Sequence, residues 1–193
     1  MKNLEIVFAT NNSHKLEEVN QISKEYNITF LPVPESFDPV EDGETFEENS
    51  YIKASEAAKL SGKFALADDS GLCVEALNGA PGIHSARYAE TQDLRIQKLL
   101  KELLPHENKS AKFVCCMTLV SPEGVILKQI VGECKGAIIE TRKGSNGFGY
   151  DPVFIPSGYN VTLAELSDVQ KNKISHRGNA LRKMLEYLSN SNF

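Results

Sequence analysis

The sequence predicts a single α/β domain over residues 1–193, built on a mixed β-sheet flanked by helices. Three observations carry this prediction. Short apolar runs bounded by Gly, Pro, Asn and Ser alternate with longer segments whose apolar residues recur at three- and four-residue spacing. Two of the apolar runs are joined by only four residues, which adds a hairpin to an otherwise crossover-connected sheet. A chain of 193 residues is long enough for one sizeable core and short for two.

Leu4 to Ala9 reads as the first strand. Thr10-Asn11-Asn12-Ser13 follows, rich in residues that cap helices, and Leu16, Val19, Ile22 and Tyr26 then recur at helical spacing. Ile28 to Val33 is a second strand, stopped by Pro32 and Pro34. Val40-Glu41-Asp42-Gly43 is an acidic turn. Thr45-Phe46-Glu47-Glu48 fits a capping box and opens an alanine-rich helix to about Leu60, with Gly62 as its stop. Phe64 to Ala67 is a short buried strand, which the sequence ends at Asp68 and Asp69 because Ser70-Gly71 follow as turn residues.

Asn78 to Gly82 is a loop by composition, and Thr91 to Leu104 is helical with Leu94, Leu99, Leu100 and Leu103 mostly on one face. Phe113 to Val120 and Val125 to Glu133 are the strands of the hairpin around Ser121-Pro122-Glu123-Gly124. A glycine-rich segment, 144–152, leads to a short strand at Val153 to Ile155. Residues 162–190 hold one or two helices, the last carrying Ala180, Leu181, Met184, Leu185 and Leu188.

Bulk properties exclude several classes of function. Hydrophobic residues make up 41% and charged residues 24%, so neither a disordered chain nor a membrane protein is indicated. The net charge of −5 argues against nucleic-acid binding as the main task. Cys73, Cys115, Cys116 and Cys134 form no C-x-x-C pair and no zinc spacing, which suits a reducing, cytoplasmic setting. The apolar run at the start is too short for a signal peptide, and no stretch approaches a membrane span. The chain is therefore expected to stay inside the cell, with no membrane partner.

Four groups of residues carry chemistry. Asp68 and Asp69 are like charges at the end of a buried run, costly without a cation; with Glu41, Asp42, Glu44, Glu47 and Glu48 they form an oxygen-only set of the kind that suits Mg2+, although acids at 41–48 also describe a solvated helix start favoured by the dipole. Thr10-Asn11-Asn12-Ser13-His14-Lys15 joins a strand to a helix through a polar turn, offering N–H groups and a dipole end to an anion. Lys15 in the first helical turn opposes the dipole, which makes sense if it shares that anion. The same residues also describe a capped helix with a surface lysine.

Lys53, Arg87, Lys171, Lys173, His176 and Arg177 are scattered cations, and His176-Arg177 again place positive charge at a helix start. Gly147-Phe148-Gly149-Tyr150-Asp151-Pro152 lets backbone approach a ligand, and Phe148 and Tyr150 could sandwich a flat ring; a glycine-rich turn with core aromatics is the plainer alternative. Together these groups supply a polyanion cradle, a hard metal, a stacking surface and hydrogen-bond donors, which a magnesium nucleoside triphosphate would use.

At these residues the chain resembles the inosine triphosphate pyrophosphatases, from residue 4 to about 188. Six blocks appear in the family's order: Ala9 to Lys15, Gly43 to Asn49, Ala67 to Leu72, Gly79 to Gly82, Gly147 to Pro152 and Ile174 to Gly178. The resemblance implies an elongated mixed sheet flanked by helices, two lobes with a central cleft, and a homodimer. It also implies Mg2+-dependent hydrolysis of ITP, dITP and XTP to the monophosphate and pyrophosphate, with water attacking the α-phosphorus.

Carried onto matching positions, Thr10, Asn11, Asn12, Ser13, His14 and Lys15 hold the triphosphate, assisted by Lys53. Glu41 and Asp69 take the metal, with Asp68 close by. Asp69 is also the catalytic base, and Ser70 lies at the substrate. Phe148, Gly149, Tyr150 and Asp151 line the nucleoside pocket, while Lys171, His176 and Arg177 read the base. Many relatives carry glycine where this chain has Asn11, and a threonine-glycine pair where it has Ser145-Asn146.

Base selectivity has a physical basis. Hypoxanthine and xanthine offer a 6-oxo acceptor where adenine offers a 6-amino donor, so buried donors would be left unpaired by adenine. Guanine shares the 6-oxo group, so its rejection calls for another feature, such as Asp151 or a steric wall near its 2-amino group.

Overall fold

The structure is a computed structural model describing residues 4–191. Among the described residues, eleven strands and α-helices follow in the order β1 (Leu4–Phe8), α1 (Ser13–Ile22), β2 (Ile28–Leu31), α2 (Phe46–Ser61), β3 (Ala65–Val74), α3 (Gln92–Leu103), β4 (Ser110–Val120), β5 (Ile126–Ile138), β6 (Phe154–Pro156), α4 (Asp168–Ile174) and α5 (His176–Ser189). The strands form one mixed sheet in the order β2-β1-β3-β4-β5-β6. β1 runs parallel to both β2 and β3, with Val7 opposite Ala65, and β6 is antiparallel to β5. Among the described residues, no helix is long and apolar enough to cross a membrane.

The chain divides into two compact units: residues up to Asp69 with Cys115–Gly132 and the segment from Arg177 onward, and Ser70–Val114 with Glu133–His176. β3, β4 and β5 each contribute residues to both units.

In the first unit, strand alternation separates two cores. Side chains on successive strand residues point to opposite faces. Ile6 and Phe8 of β1, Leu66 of β3 and Cys115, Met117 and Leu119 of β4 pack with Val19 of α1 and Ala180, Leu181, Met184 and Leu185 of α5. Val7, Ala9, Ala65, Ala67 and Val120 face the other way, onto Ala54, Ala57 and Ala58 of α2. Alanines at those three positions let the helix lie close on the sheet.

Thr45 caps α2 by accepting from the Glu48 N–H (3.1 Å). The Glu48 carboxylate accepts from the Glu44 N–H (2.7 Å), one residue earlier than a capping box would place it. Gly62 ends the helix in the left-handed conformation (φ +64°) that favours glycine.

In the second unit, Leu72, Val74, Ile96, Leu99, Leu103, Phe113, Tyr150, Phe154 and Leu163 form a single apolar core.

Two expectations need correction. The strand that starts near Phe64 does not stop at the aspartates; β3 runs on to Val74, with Asp68 and Asp69 in mid-strand. Pairing within the sheet outweighs the turn propensity of Asp-Asp-Ser-Gly. The hairpin strands are also longer than their apolar cores suggest, extending to Ser110 and Ile138.

Candidate active site

The pleat of β3 decides the arrangement of the aspartates. Asp68 has the parity of Leu66 and therefore faces α1 and α5; Asp69 has the parity of Ala65 and Ala67 and faces α2. The two carboxylates are thus not crowded into one pocket, and each has its own cations.

Asp68, 1% exposed, accepts from Lys15 Nζ at Oδ1 (3.0 Å) and from Arg177 Nε and Nη2 at Oδ2 (3.2 and 3.1 Å). Arg177 Nη1 also donates to Glu18 Oε2 (2.5 Å). Lys15 and Glu18 are three apart on α1 and share a face. Burial disfavours the Arg177 charge, but Asp68 and Glu18 together hold its pKa above the usual guanidinium value.

Asp69, 8% exposed, meets Lys53 of α2, whose Nζ lies 2.9 Å from Asp69 Oδ1 and 2.8 Å from Glu41 Oε2. Asp69 Oδ2 is buried and has no hydrogen-bond partner. Burial pushes the Asp69 carboxyl above the usual carboxylate range, against the opposing pull of the Lys53 ammonium. For Lys53, burial favours the neutral amine, but Asp69, Asp68 and Glu41 outweigh it and keep the ammonium above its ordinary value.

Glu41 is brought to this point by a pinned turn. Asn49, 1% exposed on α2, uses its side-chain amide as a backbone mimic: Oδ1 accepts from the Gly43 N–H (2.9 Å) and Nδ2 donates to Gly43 O (3.3 Å). A Cβ at residue 43 would lie 2.8 Å from Asn49 Oδ1 and 2.8 Å from Glu48 Cβ, so the close approach needs glycine.

From the end of β1 into the first turn of α1, Thr10 to His14 form an accessible polar stretch. Thr10 Oγ1 accepts from the Asn12 N–H (3.1 Å), Asn12 Oδ1 caps the helix by accepting from the His14 N–H (3.0 Å), and Asn11 Nδ2 donates to Phe37 O (3.2 Å). The turn is therefore ordered by its own side chains and leads straight to Lys15. The first unit thus gathers Thr10 to Lys15, Glu41, Lys53, Asp68, Asp69 and Arg177. Ser70 follows Asp69 directly on β3 and is partly exposed.

The second unit gathers Phe148, Gly149, Tyr150, Asp151, Lys171 and His176. Asp151 and Lys171, both buried, form an ion pair (2.7 Å), and the Phe148 N–H donates to the same Asp151 Oδ2 (3.0 Å). The Lys171 ammonium also lies 4.6 Å from the centre of the Phe148 ring, a cation–π distance. Gly147 adopts φ +72°, and a Cβ there would come within 2.2 Å of Asp151 Oδ2. His176 stacks on Phe113 with ring centres 4.8 Å apart. The Gly149 N–H donates to Gln92 Oε1 (3.0 Å), tying the glycine-rich segment to the start of α3.

Two residues differ from their expected surroundings. Tyr150 is not an open face for a flat ring: it is 3% exposed, lies in the apolar core and donates its hydroxyl to Ser85 O (2.9 Å). Burial moves its phenol up to about 12. Arg177, expected among the base readers, is 1% exposed and enclosed by Asp68 and Glu18. Sequence reasoning missed Glu18, Asn49 and Gln92. Only Glu18 had a usable signal, an acid three residues after Lys15 and next to Val19 of the apolar stripe.

The Ham1 family profile matches residues 6–187. A dITP/XTP pyrophosphatase of Prochlorococcus marinus (strain NATL1A) is 45% identical over 188 residues, covering 97% of this chain and 95% of the relative. Among solved structures, a HAM1 protein from Coxiella burnetii is 44% identical with a TM-score of 0.88, covering 97% of this chain and 100% of that one. The Staphylococcus aureus Ham1 protein is 41% identical with a TM-score of 0.86, covering 96% and 98% respectively. Matches of this extent, in sequence and in fold, place the chain in the Ham1 family.

Proposed function

We propose that the chain hydrolyses non-standard purine nucleoside triphosphates (ITP, dITP and XTP) to the monophosphate and pyrophosphate, with water attacking the α-phosphorus. The observation that carries this reading is Asp69: a buried carboxylate held at one oxygen by Lys53, with its second oxygen unpartnered and a second carboxylate, Glu41, on the same ammonium.

The residues present fit magnesium. Glu41 and Asp69 reach one common cation, both offer hard oxygen ligands, and Asp69 Oδ2 lacks a partner. Among the described residues, no group of three or more His, Cys, Asp or Glu could hold a metal by itself. Two hard carboxylates match an ion bound through one or two carboxylates plus substrate phosphates and water. When bound, magnesium would screen the phosphate charge against an incoming nucleophile.

The chain's own residues supply the rest. Asp69, made more basic by burial, orients the attacking water and accepts its proton. Lys15, Lys53 and the N–H groups of Asn11 and Ser13 stabilise negative charge on the departing pyrophosphate. Ser70 contacts the substrate beside Asp69. Arg177 holds Asp68, and Asp68 in turn holds Lys15. For the purine, Phe148 provides a stacking face, Lys171 and His176 provide the donors that favour a 6-oxo base, and Asp151 holds Lys171 in place. A cytoplasmic homodimer belongs to the same reading.

The test is a panel of ITP, dITP, XTP, GTP and ATP with magnesium, reading pyrophosphate against orthophosphate. Pyrophosphate from the first three, with ATP and GTP far behind, is the expected result. Release of orthophosphate, or equal turnover of ATP, would overturn the reading.

A further inference from the structure

Lys53 lies where a divalent ion would be needed. Its ammonium is shared between Glu41 Oε2 at 2.8 Å and Asp69 Oδ1 at 2.9 Å, so a turn and a strand converge on one positive charge. Its side chain is only 10% exposed. We propose that Lys53 is a built-in substitute cation: it fills the Glu41–Asp69 pair in the free protein and must leave it before a divalent ion can bind there. The inference rests on the reading of Glu41 and Asp69 as the metal pair.

Charge explains why the pair is filled. On the α2 face, Glu41 and Asp69 share the single ammonium of Lys53, which leaves one negative charge over in that set. Without Lys53, Asp69 would be a buried carboxylate with no cation on either oxygen, a costly state. Asp68 is turned to the opposite face of β3, where Lys15 and Arg177 hold it.

Charge also explains why the two cations exclude each other. A divalent ion held by both carboxylates would stand within a few ångströms of the Lys53 ammonium, and like charges that close in a poorly hydrated site repel strongly. The body of α2 is fixed by Ala54, Ala57 and Ala58 against the sheet, so the displacement falls on the flexible four-carbon stem of the lysine. A polyphosphate offers the displaced ammonium a new partner. Metal and polyanion therefore favour each other's binding, each raising the other's affinity by the same factor.

The experiment is Mn2+ binding to the full chain, followed by electron paramagnetic resonance with no nucleotide present, in wild type, Lys53→Met, Lys53→Arg and Asp69→Asn. Lys53→Met should bind Mn2+ about tenfold or more tightly than wild type, within the usual range for coupled sites. Lys53→Arg, which keeps the charge, should not. Lys53→Gln serves the same purpose if the methionine variant fails to fold. Unchanged or weaker Mn2+ binding in the uncharged variants, while Asp69→Asn still loses the ion, would overturn the substitute-cation proposal alone. Wild-type Mn2+ affinity retained in Asp69→Asn would overturn the metal pair itself.

Discussion

Two faces of one strand are solved in opposite ways. On the face of β3 toward α1 and α5, Asp68 has both oxygens occupied by Lys15 and Arg177, and Glu18 completes the set. On the face toward α2, Asp69 has one oxygen on Lys53 and the other without a partner. The residues are neighbours of identical chemistry, yet the pleat gives them different environments. A carboxylate with every acceptor filled by cations is an anchor. A buried carboxylate left short of partners retains unspent capacity for a ligand or a proton.

The sharpest way to break this comparison is to neutralise each aspartate in turn. Asp69→Asn should lower kcat by about 10²–10⁴ because a proton acceptor is lost, while thermal stability changes little, since Lys53 keeps Glu41. Asp68→Ala should instead cost about 3–5 kcal/mol of stability, because it leaves buried cations without their counter-charge. Kinetics and denaturant melts on both variants decide the matter. Equal effects of the two on stability and turnover would mean that the faces do not divide the work.

Arg177 extends the test. Because its guanidinium is enclosed by Asp68 and Glu18, Arg177→Ala should destabilise by about 3 kcal/mol or more, as removal of one partner from a buried ion set does. A base-reading residue in contact with solvent would instead change the ratio of kcat/KM for ITP over ATP and leave the melting temperature in place. Comparing the two readouts separates anchor from reader.

The same strand shows what the sequence could and could not disclose. The strand, polar turn and helix from Leu4 to Ile22 were legible because apolar spacing and capping residues are local signals. The acid pair was legible as chemistry but not as geometry. Asp68-Asp69-Ser70-Gly71 has the composition of a turn, and it is the place of β3 inside the sheet, between β1 and β4, that keeps it extended. Once it is extended, the pleat sends the two side chains apart, which no local pattern announces. The surroundings of Arg177 were hidden for a related reason: a cation at a helix start suggests an exposed anion site, whereas Asp68, which it binds here, is 109 residues away in sequence. Long-range pairing of this kind leaves no trace in spacing. Asn49 is similar, since an asparagine near a capping box gives no hint that its amide closes on Gly43.

Asn49 also yields the next smaller effect. If its amide fixes the turn that brings Glu41 to Lys53, Asn49→Ala should cost about 1–3 kcal/mol for the two lost contacts of a buried group. It should also weaken divalent-ion binding, read by calorimetry, because Glu41 is then less well positioned. Loss of stability with unchanged metal affinity would show that the turn finds its place without Asn49.

The smallest effect bears on the second unit, where the contrast between filled and unfilled groups recurs in aromatic form. Phe148 is partly exposed and carries the Lys171 ammonium over its ring, whereas Tyr150 is sunk in the core with its hydroxyl given to Ser85 O. Tyr150→Phe keeps the ring and removes only that hydrogen bond, so it should cost about 0.5–1.5 kcal/mol and leave KM for ITP unchanged. Phe148→Ala should do the reverse, raising KM through the loss of a stacking face while barely moving the melting temperature. If Tyr150→Phe raises KM as well, the hydroxyl acts on the nucleotide through the segment that Gly149 and Gln92 hold in place, and the division between core ring and binding ring must be redrawn at that hydrogen bond.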